Sequence, residues 1–343
     1  MHSSEGKIEG VVCPACGGLG GRLLFAVTPE EAAQHFVLEQ ADSERYGHLV
    51  QHIRRLWGNL DARIVRCCDC GLGYVHPYVG GDAEFYGLAY QRTHYPCDKW
   101  EFERTVEALK PRIAATDDFR LMEIGAGDGG FLRLVTPELL SPSSILCTEF
   151  SDYGCGRLRQ LGVSCLQRDI RDLSPDEMGS CFHAICLFQV FEHLDQNLKL
   201  LKLFSRLTTD DGEVFISVPN PLWTQFIERR GALLDMPPNH VARWGPAQLS
   251  RLADQTDWEL IDHSIEPSRW LAQARKFAVF LYLRRSQRPR SLANRIEAGT
   301  RFMKRARQGA AVGWYTLSAM RAMVELRDPC LGNSLWMRLR KRR

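Results

Sequence analysis

The 343-residue sequence has no apolar run that approaches the roughly 20 residues needed to cross a bilayer. Its longest candidate, residues 277–283, is far too short. The first residues also lack the basic and apolar segments of a secretory signal. From these absences we expect a cytoplasmic protein without a membrane-spanning helix.

Internal repeats and low-complexity stretches are absent as well. The chain is 45% hydrophobic and 25% charged, which are ordinary values for globular proteins and argue against wholesale disorder. Its length suffices for one large domain or for two of ordinary size.

Most of the chain also lacks an excess of positive charge, although the net charge is +3. Residues 284–343 hold 16 of the 44 lysines and arginines but only three of the 41 acids, which leaves 28 bases and 38 acids for the rest. We predict a basic helical extension over residues 276–343. It is either a solvated extension packed on the domain or a peripheral contact with an anionic membrane at its inner face. Nucleic-acid binding is less favoured, because the body is net negative.

Twelve cysteines in a cytoplasmic chain indicate thiols or metal ligands rather than disulfides. Two CxxC motifs stand at 13–16 and 67–70, and each offers two sulfurs from one tight turn. Four thiolates suit a structural Zn²⁺ ion with no open coordination position. The predicted zinc ligands are Cys13, Cys16, Cys67 and Cys70. The alternatives are buried free thiols and, less favoured, a redox pair.

Between the two motifs, residues 29–57 carry apolar residues at helical spacing, and a helical approach segment covers 86–110. Farther along, short apolar runs alternate with helical stretches, which is typical of a parallel sheet covered by helices. The predicted strands are 120–124, 144–149, 163–167, 184–188, 213–218 and 258–265. The pattern of residues 277–283 fits a strand or a helix equally well.

A glycine-rich turn at 125–130 follows the first of these strands. Glycine allows a sharp turn and a close approach of the backbone to a ligand, although a simple strand-to-helix turn has the same composition. Asp128 lies at the mouth of the next helix, where it would repel a pyrophosphate but not a cationic sulfonium. Glu123 lies just inside the strand. A carboxylate there would order the loop or meet a positive group, so it also favours a cationic ligand.

Acidic residues follow the next two strands. Glu149 ends a strand about two dozen residues after Gly125, near the spacing expected for an acid that binds ribose hydroxyls. Asp169 follows the third strand and can accept from an adenine amino group. In isolation, each would more often be an ordinary surface acid.

The glycine turn, Glu149 and Asp169 occur in this order, and Glu192-His193-Leu194 follows the fourth strand. With this order of motifs, the sequence resembles the class I S-adenosylmethionine-dependent methyltransferases. The similarity covers residues 118–265 and is greatest to the group that includes quinone and sugar methyltransferases. It implies a Rossmann-like, seven-stranded, mostly parallel sheet with the cofactor over the carboxyl ends of the strands. The closing hairpin of that sheet is not recognisable in the sequence.

The resemblance also implies roles for individual residues. The methionine part of S-adenosylmethionine would contact Glu123, Gly125, Ala126, Gly127 and Asp128. The ribose and adenine would contact Glu149, Phe150, Asp169 and Ile170, and the reactive methyl would lie over Phe188 and Gln189. The cysteine-rich segment resembles the zinc-binding module that precedes some sugar C-methyltransferases. The implied domains are a zinc module at 1–85, a methyltransferase domain at 86–275 and the basic extension.

Methyl transfer depends largely on positioning, and a general base is needed only if the acceptor must lose a proton. His193 is the first candidate base, with a local helix cap as its alternative role, and His240 is the second. The predicted reaction is methylation of a small-molecule, sugar or lipid-linked acceptor. One alternative is a nucleic-acid or protein methyltransferase that docks through the zinc module and the basic extension. Another is a non-catalytic, zinc-containing binding module.

Overall fold

Two compact units make up the chain. A computed structural model describes residues 6–90, 98–136, 138–178, 181–230, 236–286, 291–297, 301–326 and 330–342. The first unit comprises Met1–Pro219, Met236–Ser264 and Leu335–Arg343. The second comprises Asn220–Asp235 and Ile265–Ser334.

The secondary-structure elements follow the predicted alternation of strands and helices. The strands are β1 Lys7–Val12, β2 Leu19–Val27, β3 Ala62–Cys67, β4 Gly73–His76, β5 Leu121–Ile124, β6 Ile145–Thr148, β7 Ser164–Leu166, β8 Phe182–Phe188, β9 Thr208–Pro219, β10 Ala242–Arg243, β11 Trp258–Ile265 and β12 Ser334–Lys341. The helices are α1 Pro29–Phe36, α2 Ser43–Leu56, α3 Ala83–Ala89, α4 Trp100–Ala114, α5 Leu132–Val135, α6 Asp152–Gln160, α7 Pro175–Met178, α8 Asn197–Leu207, α9 Pro221–Arg229, α10 Pro246–Ala253, α11 Trp270–Ser286, α12 Leu292–Glu297 and α13 Arg301–Leu326.

The helical insert between the cysteine motifs consists of α1 and α2. Helix α1 begins with a capping box: Thr28 accepts from the backbone of Glu31, whose carboxylate accepts from the backbone of Thr28. Asp42 caps α2 by accepting from the backbone of Arg45. Local capping chemistry therefore sets the start of both helices.

The larger sheet of the first unit has the strand order β11-β12-β9-β8-β5-β6-β7 among the described residues. Strand β5 pairs in parallel with β6 and β8, and the pairs β6–β7 and β8–β9 are also parallel. This arrangement confirms the predicted Rossmann-like, seven-stranded, mostly parallel sheet. Because the strands run in parallel, the residues that follow β5, β6, β7 and β8 meet at one edge.

Strand β12 occupies a place that the sequence did not reveal, between β9 and β11. The prediction of a helical extension is wrong over Ser334–Lys341. Arg338 and Arg340 form ion pairs with Glu213 of β9, whose side chain is only 1% exposed. Both arginines therefore pair with a buried acid of the neighbouring strand, although Arg340 is also exposed. Residues 266–333 separate the two closing strands, which is why no hairpin pattern is visible.

A smaller, five-stranded sheet has the order β1-β2-β3-β4-β10. Its last strand, Ala242–Arg243, pairs antiparallel with Gly73 and Tyr74 of β4. The sheet of the cysteine-rich segment is thus completed by residues far beyond the predicted module boundary at 85. This pairing fixes the loop that carries His240.

The second unit consists mainly of α9, α11, α12 and α13. Trp223, Phe226 and Phe277 stack in its core with Ala319. Residues 277–283, which the sequence left undecided, belong to helix α11. Among the described helices, none combines the length and the hydropathy needed to span a bilayer.

Candidate active site at the carboxyl ends of the strands

The glycine loop after β5 adopts a backbone that requires glycine. Gly125 and Gly127 have φ angles of 69° and 57°, in the left-handed region. A Cβ on Gly125 would lie 2.7 Å from Cγ2 of Val190. The amides of Gly125 and Ala126 both donate to the carbonyl oxygen of Thr148, at 3.0 Å. The loop is therefore tied to the end of β6.

Glu149 links the glycine loop to the start of α6. One carboxylate oxygen accepts from the amide of Gly127 at 2.9 Å, and the other accepts from the amide and hydroxyl of Ser151, each at 2.9 Å. The side chain is 9% exposed. Backbone amides thus fix this carboxylate at the position where the sequence predicts a ribose contact.

Glu123 is a buried acid directly below the loop. It is 2% exposed, and its Oε2 has no hydrogen-bond partner among the described residues. Burial raises the pKa of this carboxyl well above its ordinary value, while the charge of Lys99 acts in the opposite direction. An unsatisfied buried carboxyl next to the loop fits a positively charged ligand group.

Asp128 and Asp169 each have a partner that the sequence analysis did not foresee. The carboxylate of Asp128 forms an ion pair with Arg133 at 3.1 Å. Asp169 accepts from Nε and Nη2 of Arg171, at 2.9 and 2.6 Å, and caps the short turn that begins at Ile170. Both acids lie where predicted, but part of their charge is already compensated.

The remaining predicted contacts surround these acids. Ile170 is 3% exposed. Phe150 is half-buried and stacks on Tyr86, with ring centroids 6.0 Å apart. Phe188 packs edge-on against Phe102 at 4.9 Å and is part of the core.

Gln189 is one of the few non-glycine residues in the left-handed region, with a φ of 58°. Its amide donates to Oε1 of Glu101 at 3.3 Å, and its backbone N–H donates to Ser217. Strained backbone of this kind is found preferentially at functional sites.

The structure brings the two candidate bases together. The rings of His193 and His240 meet edge to face with centroids 4.5 Å apart. Nδ1 of His193 donates to the carbonyl oxygen of Asn239 at 2.6 Å. Its Nε2 lies 3.8 Å from Oε1 of Glu192, which is 1% exposed. The N-cap position of helix α8 is Gln196, which makes no side-chain cap bond, and His193 lies outside that position.

Tyr86 is a site residue whose role the sequence did not predict. Its ring lies between Phe150 and His193, 6.0 and 6.1 Å from their centroids. Burial raises the pKa of its hydroxyl, which has no hydrogen-bond partner among the described residues. Its position shortly after the second CxxC motif was the only available signal. Asn239 contacts His193 through its backbone carbonyl oxygen, and a sequence pattern does not reveal such a contact.

The four predicted zinc ligands form one cluster. Their sulfurs all lie within 4.8 Å of one another, with Cys13–Cys70 at 3.5 Å and Cys16–Cys67 at 3.7 Å. Four sulfurs at 2.3 Å from a tetrahedral zinc ion would be about 3.8 Å apart, so the cluster fits such an ion. Positive φ angles at Gly17 and Gly71 allow both turns to close.

The cysteine cluster is connected to the candidate bases through Val241. The amide of Val75 in β4 donates to the carbonyl oxygen of Val241, and the amide of Val241 donates to that of Glu192, both at 2.9 Å. Gly80 also lies so close to His193 that a Cβ would be 2.3 Å from the histidine's carbonyl oxygen. The cysteine-rich segment therefore forms a wall of the candidate active site.

The sheet order, the glycine loop and the strand-end acids define a class I S-adenosylmethionine-dependent methyltransferase domain. Residues 88–263 match the family described as "Methyltransferase domain". This match covers half of the chain, which therefore belongs to that family. The protein is an S-adenosylmethionine-dependent methyltransferase. A comparison with curated protein sequences gives no significant match.

Several solved structures are similar to the chain. Coclaurine N-methyltransferase bound to N-methylheliamine and SAH is 14% identical, with a TM-score of 0.43 and coverage of 70% of this chain and 72% of that chain. The cyclopropane synthase MmaA2 from Mycobacterium tuberculosis is 12% identical, with a TM-score of 0.43 and coverage of 72% and 90%. A putative sarcosine dimethylglycine methyltransferase from Galdieria sulphuraria is 18% identical, with a TM-score of 0.41 and coverage of 70% and 85%.

Proposed function

We propose that the enzyme transfers a methyl group to a small-molecule, sugar or lipid-linked acceptor that loses a proton to His193. The observation that carries this proposal is the 2.6 Å contact between Nδ1 of His193 and the carbonyl oxygen of Asn239. A carbonyl oxygen only accepts, so Nδ1 carries the proton and the neutral ring has its lone pair at Nε2. The buried carboxylate of Glu192 would stabilise the imidazolium that forms.

The residues around the glycine loop would hold the cofactor. In this proposal, the loop at Gly125–Gly127 and the acid of Glu123 bind the methionine part, and Glu149 accepts from the ribose hydroxyls. Phe150 and Ile170 cover the adenine, and Asp169, supported by Arg171, accepts from its amino group. S-adenosylmethionine supplies an activated methyl group, so the protein acts mainly by positioning the acceptor.

The enclosure of the site supports a small acceptor rather than a polymer. Tyr86 packs against Phe150 and His193, and the amide of Gly81 donates to the carbonyl oxygen of Pro238 at 2.9 Å. Segments from the cysteine-rich part thus cover the edge where an acceptor would enter. Methylation of a nucleic acid or a protein is the alternative, and the radiolabel experiment described next distinguishes the two.

Radiolabel transfer from S-adenosylmethionine into a cell extract tests the proposal. We expect label in the low-molecular-mass or lipid fraction, and its loss with His193→Ala. Label confined to protein or nucleic acid would contradict the acceptor class. Full turnover by both His193→Ala and His240→Ala would contradict base catalysis by either histidine.

We also propose that the cysteine-rich segment is a structural zinc module. Four thiolates leave no coordination position for an acceptor, so the ion would order the turns that precede β4 rather than take part in the reaction. This role is supported by the hydrogen bonds from Gln248 and Gln255 to the backbone of the two motifs, at Cys70 and Ala15. Metal analysis of the intact protein tests it, and the expected value is about one zinc ion per chain.

Finally, we propose that the second unit contacts anionic membranes through one face of α13. Trp314, Leu317 and Val324 recur at helical spacing and are 71%, 59% and 63% exposed. Exposed basic residues of the same unit, including Arg307 and Lys276, would add about 1 kcal/mol each near an anionic surface.

Deleting the whole extension would also remove β12, so point variants are the better test. We expect Trp314→Ser/Leu317→Ser to reduce pelleting with phosphatidylglycerol vesicles, while Leu222→Ser, at another exposed leucine of this unit, does not. Equal pelleting of all forms would contradict the proposal.

A further inference from the structure

Three thiols that the methyltransferase reaction does not use lie together behind Glu149. Cys147 of β6 and Cys165 of β7 are directly paired in the parallel ladder. Sγ of Cys155 in α6 lies 3.5 Å from Sγ of Cys165. Cys147 and Cys155 are fully buried, whereas Cys165 is partly exposed. A solvent-reachable thiol therefore has a buried second thiol within reach.

The three thiols differ in acidity. Hydrogen bonding by Cys147, and to a lesser extent by Cys155, lowers the pKa of Cys165 to about 7. Burial raises the pKa of Cys155. Cys165 is thus the more acidic of the two thiols and would act as the nucleophile, while Cys155 stays protonated.

Both elements of the Cys155–Cys165 pair hold Glu149. The amide of Glu149 donates to the carbonyl oxygen of Leu166, next to Cys165, and its own carbonyl oxygen accepts from the thiol of Cys155. The first turn of α6 packs closely against Glu149, because a Cβ on Gly154 would lie 2.7 Å from Cγ of Glu149. Both cysteines are therefore connected to the backbone that carries this carboxylate.

We propose that Cys165 is a peroxide-reactive thiol and that Cys155 resolves it to a disulfide that weakens cofactor binding. The thiolate of Cys165 attacks hydrogen peroxide, the O–O bond breaks, and the departing hydroxide takes up a proton to become water. The sulfur of Cys155 then attacks the sulfenic acid, whose oxygen leaves as water with the thiol proton. The peroxide is the two-electron oxidant.

Bond formation would change the cofactor site because of its geometry. The two sulfurs must approach by about 1.5 Å to reach the disulfide distance. This movement would pull α6 and β7 together at Glu149. The effect on binding rests on the proposed ribose role of Glu149, whereas disulfide formation itself does not.

The full-length protein is treated with hydrogen peroxide, and its thiols are mapped by differential alkylation and mass spectrometry. We expect a Cys155–Cys165 disulfide before zinc is released. SAH affinity should fall at least tenfold and recover with dithiothreitol. Cys155→Ser and Cys165→Ser should each keep their SAH affinity under peroxide, while Cys330→Ser, at an exposed cysteine, should respond like the parent.

Two failures can be told apart. If the disulfide does not form in the unsubstituted protein, or forms without changing SAH affinity, this inference is overturned even though the reduced enzyme binds SAH. If Glu149→Gln leaves the SAH affinity of the reduced enzyme unchanged, the proposed ribose role of Glu149 is wrong instead. Because the mapping uses the unsubstituted protein, the inference stays testable even if a serine variant does not fold.

Discussion

The carbonyl oxygen of Asn239 lies 2.6 Å from Nδ1 of His193 and thereby selects the tautomer of the histidine. The two residues are 46 positions apart in the sequence, and the intervening chain brings them together through the Val241 backbone bonds. This arrangement orients Nε2 as the proton-accepting nitrogen. It also makes the histidine dependent on the loop at 236–241.

Replacing His193 with alanine should affect turnover rather than cofactor binding. We expect kcat to fall about 10²- to 10⁴-fold, because a positioned general base contributes on that scale. The SAH dissociation constant, measured by calorimetry, should change little. A comparable loss of SAH affinity would indicate that the substitution disturbs the site as a whole.

Replacing Glu149 with glutamine should weaken cofactor binding strongly. The carboxylate accepts from Gly127 and Ser151, and in the proposed complex it also accepts from two ribose hydroxyls. An amide nitrogen cannot accept, and charge-assisted bonds contribute about 1.5–3 kcal/mol each, so SAH affinity should fall on the order of 100-fold. Glu107→Gln, at an acid with a 68% exposed side chain, serves as the control. Equal affinity of the two variants would rule out this role.

Alanine at Gly125 should destabilise the protein and impair cofactor binding. The residue has a φ of 69°, and the added Cβ would lie 2.7 Å from Val190. We expect a loss of about 1–3 kcal/mol in the free energy of unfolding, measured with urea. Gly156→Ala in α6 is the matched control, because its Cβ would meet nothing within 4 Å. That variant should be about 0.5–1 kcal/mol more stable.

Loss of one zinc ligand should lower both metal content and kcat. In Cys16→Ser, we expect less than one zinc ion per chain and a lower melting temperature. Because β4 and Val241 connect the motifs to the His193 site, kcat should fall more than SAH affinity. Cys68→Ser, at the exposed cysteine of the 67–70 motif, should keep its metal and its activity. Identical metal content in the two variants would disprove the ligand assignment.

Glu123→Gln should change the pH dependence of stability. The folded-state pKa of Glu123 is raised by burial, so the folded protein retains a proton that the unfolded chain releases. The parent therefore loses stability relative to the variant as the pH rises above about 4.5, by at most about 1.4 kcal/mol per pH unit. Urea unfolding from pH 4 to 8 measures this difference. Parallel curves for the two proteins would show that Glu123 is not held protonated.

The strands β5 to β9 and the strand-end acids follow from the sequence because their signals are local. Each apolar run is short and bounded by turn residues, and parallel strands bring the residues after them to one edge. The four clustered cysteines were predictable for the same reason, since each motif closes one turn.

Other features depend on partners that are remote in the sequence. Arg338 and Arg340 look like surface charge until Glu213 is placed beside them, and β10 is a strand only because Tyr74 pairs with it.

The sequence by itself determined the class of fold, the cofactor and the glycine turn after β5, because turn chemistry and hydrophobic spacing are encoded locally. Only the tertiary structure decided the closing strand of the sheet, the tautomer of His193 and the contact of Tyr86 with the active site. These depend on backbone groups and on pairing between distant segments, and neither has a residue pattern of its own.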